Sequence, residues 1–148
     1  MKPIRTAVAE VDGGSRGNPG PAGCGFVLRL GEGACEEHAI FLGETTNNVA
    51  EYAGLLAALR RAHELGVESL TVRSDSELLI RQLAGSYRVR AAHLVPLWQR
   101  ARKLMARFRR VELLSVRREV NREADRLANR AMDTRQSTLP PPEELPCR

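Results

Sequence analysis

The apolar pattern of this chain predicts an α/β domain that opens with an antiparallel meander. Three observations carry that reading. Up to Leu42 the apolar residues fall in short runs closed by glycine and proline, the habit of strands. From Thr46 onward they recur at steps of three and four, the helical period. Between the helical stretches lie two more short apolar runs, Val67 to Arg73 and Val111 to Val116, so strands and helices alternate.

Composition narrows the class. The chain has 148 residues, 43% of them hydrophobic, and a formal charge of +5. That length and composition fit one domain with a single packed core. No run of about eighteen apolar residues occurs and no charged-then-apolar segment opens the chain, so a membrane span and a secretory signal are not expected. A cytoplasmic protein is the default expectation. Cys24, Cys35 and Cys147 are odd in number and form no CxxC or Cys/His array, which fits reduced thiols better than a disulfide frame or a zinc site. Cys24 is expected in the core and Cys147 in an exposed tail. The excess of Lys and Arg favours an anionic partner without identifying it.

Taken in order, Ile4 to Val11 is expected to be the first strand, delivering Asp12 to the rim of a sheet before a glycine-rich turn that lets backbone approach a ligand. Ala22 to Leu30 and Cys35 to Leu42 follow as strands joined by a hairpin turn at Gly31-Glu32-Gly33. His38, alternating with apolar neighbours, is expected to face solvent. A helix is expected from Thr46 or Asn47, both competent caps, to about Leu65, with Gly66 as its stop and Tyr52, Leu55, Leu56 and Leu59 as its inward stripe. Glu51 lies in its first turns, on that stripe and near the positive end of the helix. His63 is expected at the surface.

The strand Val67 to Arg73 places Asp75 just beyond its carboxyl end, where open α/β sheets hold ligands. Ser76 is a cap for a helix reaching about Ala84, and Gly85 to Ala92 is irregular. Leu94, Leu97, Trp98, Ala101, Leu104, Met105 and Phe108 form an apolar stripe at helical spacing, while Arg100, Lys103, Arg107 and Arg110 form a basic face opposite. Between Arg81 and Arg118 basic residues outnumber acids eleven to one, an imbalance that points to polyanion contact. After the strand Val111 to Val116, Asn121 is expected to cap a last helix with Ala124, Leu127, Ala128 and Ala131 facing inward and Asp125 in its first turns. Residues 1–134 read as the domain. Residues 135–148 are proline-rich and without period, expected as a disordered tail or a short extended peptide.

Four acid-bearing segments stand out: Asp12-Gly13-Gly14-Ser15-Arg16-Gly17-Asn18-Pro19-Gly20-Pro21, Thr46-Asn47-Asn48-Val49-Ala50-Glu51, Ser74-Asp75-Ser76-Glu77, and Asn121-Arg122-Glu123-Ala124-Asp125. In order and spacing, from about Val8 to Ala131, they resemble the type 1 ribonuclease H family. The resemblance implies a ribonuclease H-like fold, a mixed five-stranded sheet with helices on both faces. It implies an endoribonuclease that hydrolyses the RNA strand of RNA/DNA hybrids, leaving 5′-phosphate and 3′-hydroxyl ends. Asp12, Glu51, Asp75 and Asp125 would be the catalytic and metal-binding residues, converging at one rim on two Mg²⁺ ions, with Mn²⁺ as a substitute. Clustered carboxylates repel unless cations neutralise them, and Mg²⁺ suits all-oxygen ligands. By the same resemblance Asp12 would bridge both ions, Glu51 and Asp75 would complete one site and Asp125 the other. Ser15, Asn18, Thr46, Asn47 and Asn48 match positions that hold the paired DNA strand.

Departures from the family pattern bear on rate and affinity. Many members carry a His ten residues before the last acid; Ser115 stands there, with Arg117 or Arg118 as the nearest substitutes. Glu77 replaces a frequent Gln. The span from Gly85 to His93 is too short for the basic protrusion that some members use, so hybrid affinity is expected from Arg100, Lys103 and Arg107. Glu10 is an additional acid without an assigned role. The expected protein is a monomer without membrane association. The runner-up is a binding module of the same fold with little or no cleavage; a third reading keeps the nuclease and gives it another nucleic-acid substrate, as integrases and junction resolvases share the fold.

Overall fold

The computed structural model describes residues 5–145, so the expected strand start at Ile4 and the placement of Cys147 lie outside the described residues. Five strands form one sheet in the order β3-β2-β1-β4-β5: β1 (Thr6–Ser15), β2 (Gly20–Leu30), β3 (Cys35–Thr45), β4 (Ser69–Ser74) and β5 (Arg110–Ser115). The first three pair antiparallel, whereas β4 and β5 run parallel to β1. Four helices complete the fold: α1 (Asn47–Glu64), α2 (Glu77–Ala84), α3 (Val95–Met105) and α4 (Arg122–Thr134). The mixed five-stranded sheet with helices on both faces is therefore present.

The two faces follow from alternation along the strands. Ala7, Ala9 and Val11 of β1, with Cys24, Phe26 and Leu28 of β2, join the main core beneath α1. On the other face Val27 and Ala39 pack with Leu127 and Ala131 of α4. Glycines set how closely each helix approaches. A side chain at Gly13 would meet the Ala50 carbonyl oxygen at 2.2 Å, and one at Gly25 would meet Leu127 Cβ at 2.5 Å. Two bare spots in neighbouring strands thus seat α1 on one face and α4 on the other.

Several boundaries move. β1 does not end at Asp12; Gly13, Gly14 and Ser15 continue it, paired with Cys24, Gly23 and Ala22, because the glycine-rich stretch can still fill ladder positions. β3 runs on to Thr45. Helix α1 stops at Glu64, with Gly66 at φ 77° just beyond, and Gly85 closes α2 at φ 85°, both left-handed positions that favour glycine. Arg110 does not belong to the basic face of α3, since it opens β5. Trp98 is half-buried and donates its indole N–H to the Gln82 carbonyl at 2.9 Å, while Arg102 lies over its ring.

His38 is not solvent-facing. Its ring lies 5.1 Å from that of Phe26 and its nitrogens reach Glu36 and Thr138. What covers it is the segment after α4. Ser137 accepts from the Phe41 amide at 2.8 Å and the Thr138 amide donates to the Ala39 carbonyl at 2.8 Å, so this segment lies along the β3 edge. Leu139 and Leu145 then pack on the main core.

Candidate active site

The four acids meet at the carboxyl ends of β1 and β4. Asp12 projects from β1 on the α4 face, opposite Gly25 of β2. Because α4 rests on Gly23 and Gly25, its first turns come over Asp12 and bring Asp125 to hydrogen-bonding contact. Because α1 rests on Gly13, its first turns bring in Glu51 from the opposite side. Asp75, one residue past β4, stands between them and bears electrostatically on both Asp12 and Glu51. The order across the rim is Glu51, Asp75, Asp12, Asp125.

Electrostatics record burial first and crowding second. Burial, then the Asp75 charge and the contact with Asp125, push the Asp12 carboxyl up to about 8. Burial is also the main cause that pushes Glu51 up to about 7, opposed by a hydrogen bond from Ser76, whose hydroxyl lies 3.3 Å from Glu51 Oε1. Both shifts mean that negative charge at this rim lacks compensation. Two cations line the cleft with Asp12, Asp75 and Asp125: Arg16, which is paired with Asp133, and Arg118, whose Nη2 stands 3.8 Å from Asp125 Oδ1. Among the described residues no three such side chains close into a ready-made cage. The donor set is all oxygen, open to solvent on one side and short of positive charge. It fits a hard divalent cation that keeps part of its water.

The residues expected at the substrate divide. Ser15 and Asn47 line the acid cleft, tied together by a bond from the Ser15 amide to Asn47 Oδ1 at 2.7 Å. Asn18 Oδ1 accepts from the Asn47 amide at 3.1 Å and so locks the β1–β2 loop onto the start of α1. Thr46 uses its hydroxyl to cap α1, accepting from the Val49 amide. Asn48 faces a neighbouring groove with Leu78, Gln82, Tyr87, Arg88 and Arg90.

Arg100, Lys103 and Arg107 are not brought to the cleft. Arg107 shares a hollow with His63, Gly66 and Glu68, beyond the far end of α1. From Glu51 to His63 the helix rises about 18 Å, so Arg107 is at the opposite edge of the molecule. Arg100 is engaged with Glu144 at 3.0 Å. Arg100 and Lys103 are on α3 while Arg107 lies in the turn beyond it, and their spacing carries no information on which way such a surface points.

Other participants were hard to see. The Asn121 side chain makes no cap bond; its Nδ2 donates to the Val11 carbonyl at 2.9 Å, which ties the start of α4 to the residue before Asp12. Arg88 and Arg90 sit in a segment without periodicity, and only their charge marked them. Glu77 pairs with Arg81 at 2.6 Å, and Glu10, only 6% exposed, pairs with Arg29 and Arg73 on the sheet.

Comparison with known proteins agrees with this geometry. The family described as reverse transcriptase-like matches residues 10–131. The chain is 45% identical over 128 residues to the bifunctional protein Rv2228c of Mycobacterium tuberculosis, aligning 85% of itself with 35% of that protein. It is 42% identical to ribonuclease HI of Halobacterium salinarum over 126 residues, 84% of this chain and 63% of that one. The chain thus spans about a third to under two thirds of these relatives. The crystal structure of the Halobacterium RNase H1 superposes with a TM-score of 0.84 at 41% identity, covering 87% of this chain and 98% of the other. LC11-RNase H1, solved in complex with an RNA/DNA hybrid, superposes at 0.81 with 36% identity over 87% and 98% of the two chains. With that sequence identity and superposition over an almost complete domain, the chain belongs to the type 1 ribonuclease H family. Its ten-residue link from α2 to α3 makes it a short form without a basic protrusion.

Proposed function

We propose that this chain is a divalent-metal-dependent endoribonuclease that cuts the RNA strand of RNA/DNA hybrids and leaves 5′-phosphate and 3′-hydroxyl ends. The single observation that carries the proposal is the rim where Asp12, Glu51, Asp75 and Asp125 meet with too little positive charge. Family membership and the hybrid-bound relative support the substrate.

Asp12, Asp75, Glu51 and Asp125 would hold Mg²⁺, or Mn²⁺ in its place. Held there, two such ions would supply activation of an attacking water and charge stabilisation for the leaving 3′ oxygen, the chemistry of divalent pairs in phosphodiester hydrolysis. The chain's own groups supply the rest. Ser76 holds Glu51 toward the cleft, where its carboxylate can accept from an RNA 2′-hydroxyl, the group that separates RNA from DNA. Ser15 and Asn47 present a hydroxyl and an amide to a phosphate or groove edge. Arg118 stands where Ser115 supplies no imidazole, and its fixed positive charge near Asp125 favours the departing phosphate product.

A module that binds without cutting is favoured by Ser115 and the missing protrusion, and Arg118 in the cleft weakens that reading. The test is cleavage of an end-labelled hybrid beside matched duplex DNA, duplex RNA and single-stranded RNA, with Mg²⁺ and separately Mn²⁺. Hybrid-restricted, metal-dependent cutting is the expected outcome. Binding of hybrid that stays intact with either metal would transfer the proposal to the binding module.

A further inference from the structure

A second ionic cluster lies away from the acids, on the outer surface of α1 and α3. There the segment that follows α4 crosses α1, with Leu139, Pro140, Pro142 and Glu143 beside Ala57 and Arg60. Glu144 accepts from Arg60 Nη2 and, at 3.0 Å, from Arg100 Nε. Its side chain is only 16% exposed, and its second oxygen, Oε1, is buried with no hydrogen-bond partner among the described residues. Arg107, in the turn after α3, also bears on Arg60, so a third guanidinium adds positive charge beside the two that bind the carboxylate.

The arrangement is charge-complementary in an unusual sense. The basic excess between Arg81 and Arg118 belongs to the fold, and Glu143 and Glu144 belong to the segment laid over part of it. A carboxylate accepting from two guanidinium groups occupies the stereochemical place of a phosphate, which arginine also engages through paired N–H donors. The segment is tethered, so it competes at high effective concentration, yet its hold on this face is by few groups: one carboxylate, two half-buried leucines and the buried Pro142. Proline at three successive positions, Pro140 to Pro142, keeps it extended and cheap to order.

We propose that the carboxyl-terminal segment is an internal phosphate mimic, masking an Arg60–Arg100 surface that otherwise takes the phosphate backbone of a nucleic acid. The inference rests on the nucleic-acid reading above, but on binding and not on cleavage. It also accounts for the position of Arg100 away from the acid cleft: the residue serves a separate, gated contact.

The test measures binding of the full chain to a fluorescent hybrid without divalent ions, across a salt series, with thermal melting of every variant. Glu144→Gln is expected to raise affinity about three- to tenfold at low salt. It should also steepen the slope of log affinity on log salt by about one to two units, one for each phosphate newly engaged. Leu139→Ser, which loosens the segment without changing charge, should do the same. Arg100→Gln should weaken binding much less in the wild type than in the Glu144→Gln background, where it cancels the gain. If Glu144→Gln and Leu139→Ser melt earlier but bind as wild type does, the segment is a structural clasp and the proposal is overturned. Equal weakening by Arg100→Gln in both backgrounds overturns it as well. Because no cutting is involved, a protein that fails the hybrid-cleavage test can still pass or fail this one.

Discussion

Asp12 has the most to gain from a counter-charge, being buried, beside Asp75 and in contact with Asp125. Its neighbours explain why Arg118 is worth testing at the level of a single residue. Of the two arginines that line the cleft, Arg118 is the one paired with an acid of the cluster, at 3.8 Å from Asp125, whereas Arg16 pairs with Asp133. Groups that orient or neutralise metal-binding side chains typically matter by 10- to 100-fold, so Arg118→Ala is expected to slow single-turnover hybrid cleavage by about that factor. Arg118→Lys should recover part of the loss, and adding Ser115→His to the wild type should gain little. Unchanged cleavage by Arg118→Ala would remove Arg118 from the mechanism.

Between elements, the site depends on how closely two helices lie on the sheet. Gly25 lets α4 settle with a would-be side chain 2.5 Å from Leu127 Cβ, too close for any residue with a Cβ. Gly25→Val should therefore push α4 outward, cost about 1–3 kcal/mol in urea unfolding and weaken cleavage, because Asp125 leaves with the helix. Wild-type stability in that variant would mean that the glycine floor does not set the approach. A second inter-element contact tests the electrostatics. Arg61 of α1 grips Glu36 of β3 with two bonds at 2.7 and 2.8 Å, and together with His38 holds its carboxyl down to about 2 from an ordinary 4.5. A depressed carboxylate stabilises the fold fully above its unfolded value and loses that contribution as pH falls toward the folded one. Glu36→Gln should thus flatten the fall of stability between about pH 4.5 and pH 2, by well under 1 kcal/mol for so accessible a pair, and leave neutral-pH cleavage intact. An acid limb identical to wild type would show that the pair is not coupled to folding.

At the scale of the whole molecule, period and punctuation made the element order legible. The alternation in β1 and β2, the Thr46 cap and the Gly66 stop all appear where the chain's local physics puts them. The four acids were legible because sequence marks their surroundings with glycine, Ser or Asn: a helix start for Glu51 and Asp125, a strand end for Asp75, and for Asp12 a glycine-rich stretch that β1 in fact runs through. Directions were not legible. The basic surface of α3 points toward α1 and the carboxyl-terminal segment because the apolar stripe, not the charge, decides how a helix lies. Nor did the proline-rich segment after α4 announce its contacts, since backbone pairing along the β3 edge needs no apolar period. Asn121 likewise reads as a cap, and only the packing of α4 turns its amide toward Val11. No helix among the described residues is long and apolar enough to cross a membrane.

Asp75 is the acid that bears on both Asp12 and Glu51, so its removal tests most directly whether the rim works as one centre. The measurement is the single-turnover rate of hybrid cleavage with saturating Mg²⁺ for wild type and Asp75→Asn, with melting curves recorded with and without the ion. The expected result is a loss of more than about 10²-fold, as for removal of one preorganised charge contact, together with loss of the Mg²⁺-dependent rise in melting temperature. A variant that still cuts hybrid at the wild-type rate would contradict the assignment of catalysis to this rim.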